Sequence, residues 1–289
     1  MRILHLSDVH MQIDYHRAKW GPLGWRRWAA LVEMLGMRRS ARYERAQETL
    51  RVLAREPARL GVDHTVLSGD LTAMGLDDEF VMARQALGSL AEDERIFSVI
   101  PGNHDVYAYD SWDEQRFQKH FGHLLKSDWP EYCREGPYPY VRTLGDQALV
   151  VGLTSARVPL SPGIAAGWMG RAQLDGLARL LADPRVGDRM VFVAVHHAPA
   201  NPRGRPDIPT HALYGARELL ELLPGERFAV LYGHIHHRYW HKSDGKKPHL
   251  FCAGSSTEKG DEGYWLYEVR NRRLASAHML KPGENPPSA

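Results

Sequence analysis

Met1-Arg2-Ile3-Leu4-His5-Leu6-Ser7-Asp8-Val9-His10 places a strand-like run, Ile3 to Ser7, directly before a carboxylate and an imidazole. The arrangement recurs along the chain. His64 to Ser68 leads into Gly69-Asp70, and Ile96 to Ile100 leads into Gly102-Asn103-His104-Asp105. Met190 to Val195 leads into His196-His197, and Phe228 to Tyr232 into Gly233-His234-Ile235-His236. Short β-branched runs bounded by turn residues predict strands, so these polar motifs fall at a shared sheet edge.

Helical patterns separate many of the strands. Glu44 to Leu60, Asp77 to Leu90, Ser111 to Phe121, Arg171 to Leu181 and Ala216 to Leu222 carry apolar residues at three- and four-residue spacing, with Asp77 and Ser111 as capping-type starts. Ala148 to Thr154 adds a further strand. This alternation predicts an α/β fold. Past Gly233 the pattern changes to His237 to Lys242, Pro248 to Ala253, Tyr264 to Arg270 and Leu274 to Met279, which predicts a closing antiparallel sheet. The expectation is two mixed sheets packed face to face with helices outside, one domain over about residues 1–280, and a flexible tail at 281–289.

Composition narrows the function classes. With 289 residues, 43% hydrophobic and 25% charged, the chain can bury a substantial core. A net charge of +2 is too small to signal nucleic-acid binding. Cys133 and Cys252 have no CxxC spacing, so neither a disulfide framework nor a cysteine-built zinc site is expected. The first motif follows the N-terminus at once and no apolar stretch is long enough to span a bilayer, so a cytoplasmic protein is the expectation. Gly21, Gly24 and Gly102 form no phosphate-cradling glycine loop.

The chemistry of the motifs is that of metal ligands. Asp8 and His10 offer an oxygen and a nitrogen two residues apart, while Asp70 has two oxygens with which to bridge ions. Asn103 adds a neutral oxygen, and His196, His234 and His236 add nitrogens. A nitrogen and oxygen set without sulfur fits Mn, Fe or Zn and does not choose among them. Any one motif alone is more often a turn or a cap. Five in order reverse that reading.

In that order the residues resemble the calcineurin-like metallophosphoesterases, whose DxH, GDxxxxG, GNH(D/E), H and GHxH pattern runs here from Asp8 to His236. Ser7-Asp8-Val9-His10, Gly69-Asp70-Leu71-Thr72, the doubled histidine and Ala253-Gly254-Ser255 look most like the bacterial cyclic-nucleotide and glycerophosphodiester phosphodiesterase class. The resemblance implies a four-layer α-β-β-α sandwich. It also implies one divalent ion held by Asp8, His10, Asp70 and His236, and a second by Asp70, Asn103, His196 and His234. The family's doubled histidine is usually followed by two prolines, where this chain has His196-His197-Ala198-Pro199; His196 is taken as the ligand. His104 would lie outside the coordination sphere as catalytic helper, with Asp105 to orient it, and His197 and His237 near the pocket. Two such ions about 3.5–4 Å apart activate a shared water for in-line attack on phosphorus.

Sixty-two positions separate Asp8 from Asp70, which exceeds what a βαβ unit needs and predicts an insertion at about 15–45. It holds eight Lys or Arg against Glu33 and Glu44, a local +6 that leaves −4 for the rest. Trp20, Trp25 and Trp28 add apolar character, so a helical hairpin over the sheet stands beside a peripheral membrane or lipid-substrate contact. Val106 to Tyr140, rich in aromatics, is expected to shape another pocket wall or fill a core. The sequence thus predicts hydrolysis of a phosphate-ester small molecule, with a diester preferred. The alternatives are a nucleotide-lipid pyrophosphate hydrolase and a non-catalytic metal-binding scaffold. Self-association is left open.

Overall fold

The computed structural model describes residues 1–15, 27–29, 39–159, 161 and 163–287. Two mixed sheets carry the fold. The first has the order β13-β12-β1-β2-β3, formed by Arg273–Leu280, Tyr264–Arg270, Arg2–Leu6, His64–Leu67 and Phe97–Val99. Its strands β1, β2 and β3 run parallel, and β12 and β13 extend it antiparallel. The second has the order β10-β11-β9-β7-β5-β4, formed by Arg238–His241, His249–Ala253, Phe228–Tyr232, Met190–Ala194, Ala148–Gly152 and Tyr140–Leu144. Here β11, β9, β7 and β5 are parallel between antiparallel edges. A short parallel pair, Gly167–Trp168 (β6) and Leu213–Tyr214 (β8), lies apart.

Period-two alternation explains the layers. Ala148, Val150, Met190, Phe192, Ala194, Ala229 and Leu231 face the first sheet in one buried cluster. Their neighbours Leu149, Val151, Val191, Val193, Phe228 and Val230 point the other way, into a second cluster. There they meet Leu174, Leu177 and Leu180 of the helix Arg171–Leu181, and Leu219 of the helix Ala216–Glu221. On the outer face of the first sheet, Leu50 and Leu53 of Ala46–Leu53 and Phe80, Ala83 and Leu87 of Asp77–Leu87 complete the sandwich.

Several boundaries differ from the sequence reading. The run Glu44 to Leu60 breaks into Ala46–Leu53 and Glu56–Leu60, because Pro57 has no N–H for a continuing helix and is tolerated only in a first turn. Ser111 to Phe121 divides into Tyr109–Asp113 and Arg116–Phe121 at Gln115, whose φ is 49°. Asp77 and Ser111 sit inside first turns, and Leu76 and Ala108 are the caps. Among the described residues no separate antiparallel sheet closes the chain: β10 and β11 join the second sheet, while β12 and β13 join the first beside β1. Residues 281–287 contact the domain, with Arg59 Nη1 donating to Asn285 Oδ1 at 2.7 Å and Gly283 N to Glu56 Oε1 at 3.3 Å. Residues 288–289 lie outside the described part.

Candidate metal centre

The sequence motifs meet at the carboxyl ends of β1, β2, β3, β7 and β9, the edge at which open α/β sheets place ligands. The first two loops are stitched together. Asp8 N donates to Gly69 O at 3.0 Å, and Val9 N and His10 N donate to Asp70 O at 2.8 and 3.0 Å. The second sheet joins through Gly233 N to His196 O at 3.1 Å and His234 N to Asp8 Oδ2 at 2.9 Å. Behind the first loop, Ser255 Oγ donates to Asp8 O at 2.6 Å and Thr257 Oγ1 to Val9 O.

Two groups of donor atoms result. In one, Asp8, His10, Asp70 and His236 bring their ligand-type atoms within 4.8 Å of one another. His236 Nε2 lies 3.1 Å from Asp8 Oδ1 and 3.0 Å from His10 Nε2. In the other, His196 Nε2 lies 3.2 Å from Asp70 Oδ2 and 3.1 Å from Asn103 Oδ1, and His234 Nδ1 is 3.1 Å from Asn103 Oδ1. Asp70 Oδ2 stands between them, 3.8 Å from His10 Nε2. Its other oxygen, Oδ1, accepts the His104 N–H at 2.8 Å. Only one Asp70 oxygen therefore faces both groups.

These spacings fit small cations. Ligands at about 2.0–2.2 Å from an ion and at right angles to each other are about 3 Å apart. His196 Nδ1 is 2.8 Å from the Ser68 carbonyl, which can only accept, so in the neutral ring the proton sits on Nδ1 and Nε2 offers its lone pair. His234 Nε2 is buried with no hydrogen-bond partner. The cluster is a site able to bind metal.

Its electrostatics are strained in the same sense. Burial opposes the Asp70 charge, but His196, His104 and His10 around it hold its carboxyl well below the usual range. Burial also opposes the charge on His196, yet Asp70 outweighs it and raises the imidazole to about 9. Burial lowers His10 to about 4, and burial with the His196 charge lowers His234 to about 3. A protonated His196 thus supplies positive charge that a cation would otherwise bring.

The remaining expected residues sort differently. His104 Nδ1 lies 2.7 Å from the Ala73 carbonyl, which leaves Nε2 for a substrate, and its ring packs edge-on against His10. Asp105 does not orient it. The Asp105 carboxylate accepts from Gly102 N at 2.9 Å, Thr72 N at 3.0 Å, Thr72 Oγ1 at 2.9 Å and Leu71 N at 3.3 Å, so it braces two loops. Burial and the Asp70 charge push it up to about 7. His197 is fully buried with Nδ1 2.8 Å from Ser155 Oγ, and its ring is 4.5 Å from that of His234. His237 is exposed, stacks on Tyr239, and is not among the cavity-lining residues.

A cavity of about 530 Å³ opens over the cluster. Gln12, Arg42, Tyr43, Tyr107, Asp207 and His211 line it beyond the motif residues. His211 has its ring 6.0 Å from that of His234. Of the aromatic segment 106–140, Tyr107 stacks on His104 at the cavity, whereas Phe117, Phe121, Trp129, Tyr138 and Tyr140 are core. Tyr43 was not marked by any motif, nor was Glu258; a tyrosine in a basic insertion carries no spacing signal. Most of the expected insertion, 16–26 and 30–38, lies outside the described residues, as does its proposed membrane contact. Among the described residues no helix is long and apolar enough to cross a membrane.

A family profile described as calcineurin-like phosphoesterase matches residues 1–238. Among solved structures, a dimetal phosphatase from Danio rerio aligns with a TM-score of 0.62 at 14% identity, over 98% of this chain and 99% of that one. The protein TT1561 of Thermus thermophilus aligns at 0.52 and 13% identity, over 96% and 98%. Purple acid phosphatase PPD1 from yellow lupin (Lupinus luteus) seeds aligns at 0.51 and 9% identity, over 97% of this chain and 53% of that one. At these identities the likeness is one of fold. No curated protein matches significantly.

Proposed function

As this chain belongs to the calcineurin-like phosphoesterase family, we propose that it hydrolyses phosphodiester bonds with the help of two divalent transition-metal ions, Mn, Fe or Zn. The observation that carries the reading is Asp70 Oδ2, a single oxygen set between two groups of nitrogen and oxygen donors. Asp8, His10, Asp70 and His236 would hold one ion, and Asp70, Asn103, His196 and His234 the other. Bound there, the ions supply an acidified water and neutralise phosphoryl oxygens.

The chain's own groups do the rest. Ala73 O fixes the His104 ring, so that Nε2 is positioned to give a proton to the departing alkoxide. Asp105 keeps the Asp70 and Asn103 loops in register. Arg42 at the cavity wall offers charge to a phosphate oxygen, and Tyr107 offers a face to an apolar or aromatic ester group. A volume of about 530 Å³ lies within the range of small-molecule sites and leaves room for two ester arms, which supports a diester.

The test is hydrolysis of bis(p-nitrophenyl) phosphate with added Mn²⁺, against the monoester p-nitrophenyl phosphate. The proposal expects a faster diester reaction, and loss to background in Asp70→Ala. Equal background rates in wild type and Asp70→Ala would favour a metal-binding scaffold instead.

A further inference from the structure

Tyr43 reaches the back of one proposed ligand from outside every motif. It follows the short helix Arg39–Arg42, its side chain is buried, and its ring lies 4.8 Å from that of His10. The hydroxyl is 2.9 Å from His236 Nδ1 and donates to Glu258 Oε2 at 3.3 Å. Glu258 is held in turn: Oε1 accepts from Arg42 Nη1 at 3.0 Å, and Lys259 N donates to Arg42 O at 2.9 Å.

A tyrosine hydroxyl has one hydrogen to give. With that hydrogen on Glu258, its oxygen accepts the Nδ1–H of His236. The lone pair of His236 is then on Nε2, the nitrogen facing Asp8 Oδ1 and His10 Nε2. Ligating histidines elsewhere use a partner on the far nitrogen in the same way, to fix ring and tautomer. We propose that Tyr43 and Glu258 are positioning residues that set His236 as a donor for the Asp8-side cation, so that the end of the insertion governs occupancy of one metal position and not the other. This rests on the metal-centre reading above. The second group of donors has its own support, the Ser68 carbonyl behind His196, and owes nothing to Tyr43.

The experiment is calorimetric titration of the metal-stripped full chain with Mn²⁺, for wild type, Tyr43→Phe and Glu258→Gln, with melting of each in EDTA. Phenylalanine keeps the ring against His10 and deletes only the hydroxyl. Two sites are expected in wild type, one of them weakened about 10–100-fold in Tyr43→Phe, with a smaller loss at the same site in Glu258→Gln. The other site and the EDTA melting temperature should stay at wild-type values. Wild-type affinity at both sites in Tyr43→Phe would overturn the positioning role. So would equal weakening of both sites together with a lower melting temperature, which marks a purely structural residue. Wild-type protein that binds no ion would overturn the metal-centre reading itself.

Discussion

Asp8, His10, Asp70, His234 and His236 have φ values of 51°, 50°, 53°, 70° and 55°. Left-handed backbone costs a non-glycine residue about 1–2 kcal/mol, and five proposed ligands bear it, Asp8, His10, Asp70 and His234 in loops tied to one another by hydrogen bonds. Such strain collects where function demands a side-chain direction. Gly102 belongs to the same packing: a Cβ there would lie 2.1 Å from Asp70 Oδ1. Gly102→Ala must therefore displace Asp70, and elemental analysis after Mn²⁺ loading should find less metal than in wild type; full loading would contradict the packing argument. For His104→Ala the expectation is separate, a fall in kcat of about 10²–10⁴-fold with metal content unchanged. Loss of metal in that variant would instead make His104 part of the ion site. The motif residues were legible because each pairs a ligand atom with a strand end. Tyr43, Glu258 and His211 were not, since no local pattern distinguishes them from any tyrosine, glutamate or histidine on a loop.

Loops and strands carry the next scale. Asp105 accepts from donors on the Asp70 and Asn103 loops, all of them buried. Asp105→Ala strands those donors and should lower metal-free stability by about 3–5 kcal/mol, read as a lower urea midpoint; an unchanged midpoint would refute the bracing role. His64 ties β2 to β3, with Nε2 2.8 Å from Ser98 Oγ, and burial lowers it from 6.5 to about 4. The unfolded chain then binds the extra proton first, so this histidine costs nothing well above pH 6.5 and destabilises as pH falls, the loss being complete below about 4. Between pH 7 and 5 the difference is about 2 kcal/mol. His64→Gln should show a shallower loss of stability over that interval by chemical denaturation, and a parallel loss would contradict the assignment. The parallel strands were readable as short apolar runs, and the helix Arg171–Leu181 from its periodicity. Strand β4 was not, because Arg142 interrupts the apolar run, its buried guanidinium pairing with Asp128 at 2.9 Å and donating to Leu124 O at 3.1 Å. The two-residue strands β6 and β8 are too short for any pattern.

At the scale of the molecule, two sheets of different connectivity converge on one edge, and the C-terminal strands divide between them. Their alternation predicted strands correctly but held no information on partners, since a half-buried antiparallel strand reads alike beside β1 or beside β11. Motif order, by contrast, carried the site across both sheets: Asp8, Asp70 and Asn103 come from the first, His196, His234 and His236 from the second. The sheets must pack for either donor group to exist, so metal binding and folding are coupled, and saturating Mn²⁺ should raise the melting temperature. The most direct measurement is anomalous diffraction from crystals loaded with Mn²⁺. Two peaks about 3.5–4 Å apart, one on each side of Asp70 Oδ2, are predicted; no peak at this edge, or a single peak that does not touch Asp70, would contradict the account.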